Sequence, residues 1–163
     1  MKQTFLLIVT SLIPFFGLGQ DAVWNHERAT ETDSLYRTAI EKFIGEMDPL
    51  SDTTSKGEAA KTIFIQAENY LSMLPSHLEG YEIQLVGYGN REDVFKQNGY
   101  HLRLIRISPL TLKNGQFQIT LSSYNAELKR RKHLDLALSD WTIVLFNFKD
   151  GHLIYSETKR GGV

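Results

Sequence analysis

Hydrophobic residues recur with a helical period in one long segment near the amino terminus. Between residues 30 and 47 they fall three and four positions apart and form one apolar stripe: Tyr36, Ala39, Ile40, Phe43, Ile44 and Met47. Asp48-Pro49 ends the pattern, because the residue before a proline is disfavoured in the helical region. The spacing therefore predicts one long helix, followed by a polar loop over residues 50–60.

Strand patterns dominate the rest of the chain. Six short segments rich in β-branched and aromatic residues predict strands: residues 61–67, 81–87, 100–108, 116–123, 141–149 and 152–158. Asn114-Gly115 separates the third from the fourth, and Asp150-Gly151 separates the fifth from the sixth. Both dipeptides suit tight hairpin turns, so each of these pairs is predicted to be antiparallel. The fifth strand, which begins at Trp141, is apolar on both sides, and this favours a central position covered on both faces.

These elements predict an α+β fold, in which one long N-terminal helix packs on a curved, mainly antiparallel sheet of about five or six strands. In the order of its elements the chain resembles proteins of cystatin-like or NTF2-like topology. The resemblance extends to element order and includes no motif. It therefore implies a fold and carries no activity with it.

The first nineteen residues have the layout of a signal peptide. Lys2 supplies the positive charge, residues 5–13 form a short apolar run, and Gly17 and Gly19 have the small-x-small spacing that signal peptidase accepts. The apolar run is shorter than the roughly 20 residues that span a bilayer. We expect cleavage after Gly19 and export to the periplasm or the medium with no membrane anchor. Residues 20–163 would then form a single globular α+β domain.

The composition narrows the class of protein. The chain contains no cysteine, which excludes a lipid-anchored lipoprotein, disulfides and thiol catalysis. None of its asparagines begins an Asn-x-Ser/Thr glycosylation site, which favours a bacterial exported protein. Lys2 is the only charged residue of the predicted signal, so the remaining 144 residues carry 17 basic and 19 acidic groups. This near balance gives no general attraction to nucleic acid or to anionic membranes.

Residues 82–99 have the opening layout of a dinucleotide-binding loop, with a strand, Gly87-Tyr88-Gly89 and a short helix. A nucleotide fingerprint requires a third glycine three positions after the second, where this chain has Glu92 followed by Asp93. Carboxylates at that position would repel a pyrophosphate. The pattern also gives no sign of a parallel strand–helix–strand unit around the motif. The segment is therefore predicted to be a tight turn from a strand into a helix.

Other chemical signals are weak. The five histidines are far apart in sequence and have no acidic residue at helical metal-ligand spacing, and no Gly-x-Ser-x-Gly motif occurs. No catalytic residue, metal or cofactor is predicted. The basic run over residues 129–133 lacks interleaved aromatic residues, which favours a solvated loop; contact with an acidic envelope polymer is the functional alternative. Residues 158–163 are expected to form a frayed end.

The third strand carries the most informative pattern. Its apolar alternation slips by one position at Leu104-Ile105, which a β-bulge would explain. The bulge would place four polar side chains on one face of the sheet: His101, Arg103, Arg106 and Ser108. Two arginines and a histidine on one face could hold a carboxylate or a phosphate, so these four form the candidate ligand-binding site. The alternative is a solvated face with ion pairs across strands, for instance to Glu82.

The sequence thus predicts a small exported binding or interaction domain without catalytic activity. Its partner would be an unknown protein or a small anionic ligand, and not a nucleic acid. Two alternatives remain open. One is a small-molecule enzyme of the NTF2-like type with a pocket between helix and sheet. The other is an inhibitor or immunity-type protein, which would need a large flat interface.

Overall fold

A computed structural model describes residues 30–47, 61–71, 73–129 and 133–162. In this part of the chain the elements follow one another in this order: α1 (Glu31–Glu46), β1 (Thr62–Gln66), β2 (His77–Leu78), β3 (Tyr81–Val86), α2 (Arg91–Gln97), β4 (His101–Ile107), β5 (Thr111–Lys113), β6 (Gln116–Leu128), β7 (Leu134–Lys149) and β8 (His152–Gly162). The predicted signal peptide and polar loop lie outside the described residues, as do residues 130–132 of the basic run.

Helix α1 confirms the predicted first helix. Thr30 caps its amino end, where the Thr30 hydroxyl accepts the N–H of Asp33 and the Asp33 carboxylate accepts the N–H of Thr30 at 2.8 Å. This reciprocal capping box explains why a carboxylate can lie buried at this position. The predicted apolar stripe faces the sheet, and all of its residues except the partly buried Met47 are buried.

The described strands form one mixed sheet in the order β2-β3-β1-β4-β6-β7-β8, with β5 also paired to β6. Both predicted antiparallel pairs are confirmed, since β4 pairs with β6 and β7 with β8. The φ angles are positive at both turn residues, 52° and 78° in Asn114-Gly115 and 52° and 87° in Asp150-Gly151. These values are typical of two-residue hairpin turns. The chain therefore belongs to the α+β class, with a sheet rich in antiparallel pairs.

The sheet is larger and more mixed than predicted. Strand β1 runs parallel to both of its neighbours, so that Ile65 pairs with Leu85 of β3 on one side and with Ile105 of β4 on the other. The chain crosses from β3 to β4 through α2, the short helix predicted after Gly87-Tyr88-Gly89, which the one-helix architecture did not include as a covering element. Parallel partners are remote in sequence and have no turn dipeptide between them, so the hydrophobic pattern contains no signal for this pairing.

The two helices cover opposite faces of the sheet. Successive side chains of a strand point to opposite faces. In β1, Ile63 and Ile65 pack in the apolar cluster that contains α1, whereas Phe64 packs in the cluster that contains Phe95 of α2. We call these surfaces the α1 face and the α2 face. Of the described helices, neither combines the length and the apolar character that crossing a membrane requires.

Strand β7 is less covered than predicted. It begins at Leu134 and not at Trp141, and β8 lies beside it at the edge of the sheet. On the α1 face Phe146 is fully buried, and on the α2 face Leu145 is buried while Trp141 is only half-buried. Helix α2 has seven residues and packs with Leu104 and Ala126, on strands β4 and β6. Of β7, Leu134 packs against this cluster, whereas Leu136 and Leu138 are exposed. The predicted cover on both faces therefore holds at Val144–Phe146 and not along the whole strand.

Strand β8 extends further than predicted. Residues 158–162 were expected to fray, but Gly161 pairs with Trp141 and Gly162 pairs with Asp140. These residues are ordered because β7 extends beyond the predicted end of β8, at residue 158, and provides backbone partners for them. The pairing stops at Gly162 within the described chain, so the first residues of β7 extend beyond β8.

Candidate functional site

Strand β4 contains three residues of the candidate site, His101, Arg103 and Arg106, and it has no bulge; Ser108 lies one residue past its end. Its residues pair one for one with β6, from His101 opposite Glu127 to Ile107 opposite Leu121, with no shift in register. Regular alternation places His101 and Arg103 on the α1 face and Arg106 on the α2 face. The predicted bulge is therefore wrong, and the two arginines are separated by the sheet.

The slip in the apolar pattern has a different cause. Leu104 is buried in the cluster beneath α2, and Ile105 is buried in the cluster beneath α1. Two adjacent apolar residues occur where a strand is covered on both faces. The slip thus marks the point where β4 passes between the two helices. A pattern read on the assumption of a single covered face could not distinguish this from a bulge.

An irregularity does occur two strands away, between β6 and β7. Ser123 pairs with Asp140, and Tyr124 pairs with Leu138, which leaves Ser139 as an extra residue on β7. The Ser139 hydroxyl donates to the Ser123 carbonyl at 3.2 Å and to the Asp140 carboxylate at 2.9 Å. The bulge is therefore closed by side-chain hydrogen bonds on the α1 face, where it brings Asp140 opposite Ser123.

Arg103 is the centre of a polar cluster on this face. Its Nη2 donates to Asp140 Oδ2 at 2.7 Å and to Ser123 Oγ at 3.3 Å, and the fully buried Ser123 donates in turn to Asp140 Oδ1 at 2.8 Å. The side chains of Arg103 and Asp140 are 32% and 16% exposed. Arg103 Nε is buried and has no hydrogen-bond partner among the described residues. The carboxylate is thus well satisfied, whereas the guanidinium keeps donor capacity.

A cavity of about 220 Å³ lies beside Arg103, between the carboxyl end of α1 and the amino ends of β1 and β4. Its wall is apolar with a few polar groups, and its residues are Phe43, Met47, Thr62, Ile63, Phe64, Asn98, His101, Leu102, Arg103 and Ile105. An apolar lining with few convergent polar groups is typical of a small-molecule site, although this volume is below the usual range for one. The cavity could hold a small group rather than a large ligand.

Charged groups line the rim of the sheet next to His101. His101 Nε2 lies 4.0 Å from Glu127 Oε1, and His133 Nε2 lies 2.8 Å from Asp135 Oδ1. Lys129 forms an ion pair with Asp135. Its hydrogen bond lowers the pKa of the Asp135 carboxyl and raises the pKa of the Lys129 ammonium group. Within the described residues, no group of three or more His, Asp or Glu side chains is arranged to hold a metal ion.

The other two candidate residues have separate roles. The guanidinium carbon of Arg106 lies 5.9 Å from the centroid of the Tyr124 ring, at an exposed position on the α2 face. Ser108 follows the end of β4, and its hydroxyl accepts the N–H of Thr120 at 2.8 Å, which extends the ladder to β6. The structure therefore brings His101 and Arg103 together at the cavity, and it leaves Arg106 and Ser108 elsewhere.

The Gly-x-Gly segment forms the predicted turn. The N–H of Gly87 donates to the side-chain oxygen of Asn90 at 2.8 Å, and the Asn90 amide donates to the Leu85 carbonyl at 2.8 Å. One prediction about its surroundings is wrong, because β3, α2 and β4 do form a parallel crossover around β1. The N–H of Gly87 is nevertheless hydrogen-bonded to Asn90, so it is not available to bind a phosphate.

The sequence pattern did not identify three members of the polar cluster around Arg103: Ser123, Ser139 and Asp140. Ser139-Asp140 lies inside β7, which is continuous from Leu134 to Lys149. A polar pair in the middle of an apolar strand was the available signal. Cross-strand pairing of arginine with a carboxylate was anticipated, but the partner is Asp140; Glu82 accepts from the Thr62 hydroxyl instead.

Comparisons with known proteins do not assign a family. No protein-family model, curated protein or solved structure matches this chain.

Proposed function

We propose that the protein is a small exported binding domain without catalytic activity, and that it holds an anionic group of its ligand at Arg103. The observation that carries this proposal is the state of the Arg103 side chain at the cavity. One end of the guanidinium is fixed by Asp140 and Ser123, while Nε has no acceptor among the residues that the structure describes. A bound carboxylate or phosphate would supply an acceptor to a group that is already oriented.

The fixed position of Arg103 favours binding in a second way. A free arginine side chain loses rotamer freedom when a ligand orders it, and this loss reduces affinity. The ion pair to Asp140 itself orders the Arg103 side chain. The same ion pair neutralises much of its charge, so we expect modest affinity and selectivity for groups small enough to enter the cavity.

The alternative function is an enzyme of the NTF2-like type, and the position of the cavity between α1 and the sheet favours it. Such a site needs a titratable group in a shielded position. The cavity histidine, His101, has a side chain that is 68% exposed. The buried carboxylate of Asp33 belongs to the capping box of α1, and Asp140 accepts from Arg103 and two serines. These assignments favour the binding domain over the enzyme.

Export is part of the proposal, because the first nineteen residues have the layout of a cleaved signal. Amino-terminal sequencing of exported protein should begin at Gln20 or within one or two residues of it. Recovery of protein that begins at Met1 in a membrane fraction would contradict the proposed localisation.

Titration of the isotope-labelled protein with succinate and with inorganic phosphate, followed by NMR, tests the proposed site. Amide shifts should change together at the residues that line the cavity. Arg103→Gln should weaken binding at least tenfold, since a charge-assisted hydrogen bond contributes on the order of 1.5–3 kcal/mol. Arg106→Gln is the matched control, because it removes the same charge from the same strand on the opposite face.

The fold needs its own control in this experiment. Arg103→Gln leaves Asp140 without its cation and should lower the free energy of unfolding, so binding is measured well below the unfolding midpoint. Arg103→Lys keeps a cation near Asp140 but lacks the planar fork, and it should retain more stability than Arg103→Gln while still binding weakly. Equal losses for Arg103→Gln and Arg106→Gln, or no shifts at the cavity, would contradict the proposal.

A further inference from the structure

Within the described residues, the first six residues of β7 form an open sheet edge. Strand β6 pairs with β7 from Leu134 onwards, but β8 pairs with it only from Asp140 to Lys149. In the part of the chain that the structure describes, Leu134–Ser139 therefore have a strand on one side alone. Along the other side, the backbone N–H and C=O groups of alternate residues point away from the sheet. Such an edge is a template for pairing with another strand.

The side chains of this edge alternate strictly. Leu134, Leu136 and Leu138 lie on the α2 face, and Asp135 and Ala137 lie on the α1 face. Leu136 is 36% and Leu138 is 40% exposed, while Leu134 packs against the buried cluster beneath α2. The leucines thus extend an internal apolar surface out to the edge of the sheet.

The usual protection of an edge strand is weak here. Natural edges are commonly blocked by lysine, proline or an inward-pointing charge. The only charge on this edge is Asp135, and it is engaged by Lys129 and His133 of its own hairpin. A strand that pairs here would therefore not have to bury an unpaired carboxylate.

We propose that this edge pairs with the same edge of a second copy of the chain, antiparallel about a twofold axis through Leu136. In this register Leu136 lies opposite its own copy, Leu134 lies opposite Leu138, and Asp135 lies opposite Ala137. All six leucines of the two copies meet on one face. The edge lies two strands away from Arg103 in the order β4-β6-β7, and the proposal does not depend on the proposed function.

The neighbouring twofold registers are unfavourable. Directly opposed side chains lie on the same face of the sheet, and side chains alternate along the strand. A twofold axis must therefore pass between a residue of the edge and its own copy. An axis through Asp135 would set two carboxylates directly opposite each other, which is destabilising. An axis through Ala137 would bring Leu134 opposite Asp140, whose side chain lies on the other face because of the bulge at Ser139. The edge is thus complementary to itself in one register.

The expected dimer is weak and reversible. Six residues of strand extend over about 20 Å, and interfaces that bury less than about 1,200 Å² are commonly transient. Sedimentation velocity over a wide concentration range should show a monomer–dimer equilibrium. Leu138→Lys should shift the midpoint at least tenfold towards higher concentration. Leu112→Lys is the control, since Leu112 is 63% exposed on β5 and outside the edge.

Disulfide trapping tests the register directly, because the chain contains no cysteine. Directly opposed residues have Cβ atoms about 4.5–5.5 Å apart, which is close enough for a disulfide after small adjustments. Under one mild oxidant, Leu136→Cys should form a covalent dimer at least tenfold faster than Ala137→Cys or Leu112→Cys. In the proposed register two copies of residue 137 are diagonal neighbours, too far apart to be bridged without backbone movement.

Each other outcome overturns the proposal. A monomer at every concentration would contradict the pairing of two copies. A dimer that is insensitive to Leu138→Lys would place the contact elsewhere. Faster trapping of Ala137→Cys than of Leu136→Cys would contradict the register. Circular dichroism and the unfolding midpoint of each variant show whether a loss of dimer reflects a loss of fold.

Discussion

Gly161 is required by the side chain that lies across from it. It pairs with Trp141 at the edge of the sheet, and a Cβ atom added to Gly161 would lie 2.9 Å from Trp141 Cη2 and nearer still to Cζ2 and Cε2. Carbon atoms in proteins do not approach so closely. We therefore predict that Gly161→Ala forces the indole or the end of β8 to move, and that it lowers the free energy of unfolding.

The magnitude follows from two opposing terms. Overpacking of this kind costs about 1–3 kcal/mol. Loss of glycine's freedom in the unfolded chain returns about 0.4–1 kcal/mol, where the native conformation suits alanine. The net loss should be about 1–2 kcal/mol. Because a chain of this length shifts its melting temperature by roughly 3–5 °C per kcal/mol, Gly161→Ala should melt about 3–10 °C lower than the wild type.

Gly162 provides a matched control in the adjacent position. An added Cβ there would meet its nearest neighbour, the Ser139 carbonyl oxygen, at an ordinary 3.5 Å. Gly162→Ala should therefore be neutral or slightly stabilising. Urea unfolding of both variants, followed by circular dichroism, measures the difference between them, which should be about 2 kcal/mol.

A double-mutant cycle identifies the cause. Trp141→Ala alone should cost about 2–3 kcal/mol, below the range for a fully buried tryptophan because the ring is half-exposed. In that background Gly161→Ala should cost nothing, since the atoms that it would strike are gone. If Gly161→Ala is equally destabilising with and without the indole, contact with Trp141 is not the reason for the glycine.

Three further predictions concern other elements. Asn90→Ala removes both hydrogen bonds that close the turn at Gly87 and should lower the free energy of unfolding by about 1–2 kcal/mol in urea titrations; an unchanged midpoint would show that the turn holds without them. Thr30→Ala breaks the capping box of α1 and should cost about 1 kcal/mol, whereas Thr30→Ser should restore most of it. Burial raises the pKa of Tyr70, whose hydroxyl donates to the Ile107 carbonyl at 2.6 Å. Folding therefore favours the protonated form, so this contribution to stability is complete below pH 10, the ordinary pKa, and is lost as the pH rises through the raised pKa. Tyr70→Phe should remove this alkaline loss of stability from unfolding curves measured at a series of pH values. An identical loss in the variant would assign it to another group.

The sequence alone was sufficient to predict the elements whose structure depends on neighbouring residues. The stripe from Tyr36 to Met47 predicted α1 almost to the residue, because an amphipathic helix records its buried face every three or four positions. Asn114-Gly115 and Asp150-Gly151 predicted two turns, because few other dipeptides accept positive φ at both positions. These signals are local, and so is the structure that they specify.

The errors arose where one residue's position depends on a distant segment. Ile105 and Leu104 were assigned to one face because the second covering helix, α2, could not be inferred to pack there. The parallel pairing of β1 had no signal, and the bulge at Ser139 is visible only once β6 and β7 are in register. Arg103 was identified as a candidate, but its partner Asp140 lies 37 positions away. The chemistry of Arg103 predicted a carboxylate partner, but the topology of the sheet determines which carboxylate it is.

The insertion of β1 between β3 and β4 has a consequence for the order of events in folding. Strands β6, β7 and β8 are joined by short connections and can zip together locally, whereas β1 must find partners at both Leu85 and Ile105. Closing such long loops costs entropy before any contact forms. If β3 and β4 came together first, β1 would have no gap to enter. We therefore expect a folding nucleus in β6–β8, so that Val144→Ala slows folding while Ile65→Val mainly speeds unfolding in stopped-flow measurements. The strand at the middle of the parallel region would then be the last to be enclosed.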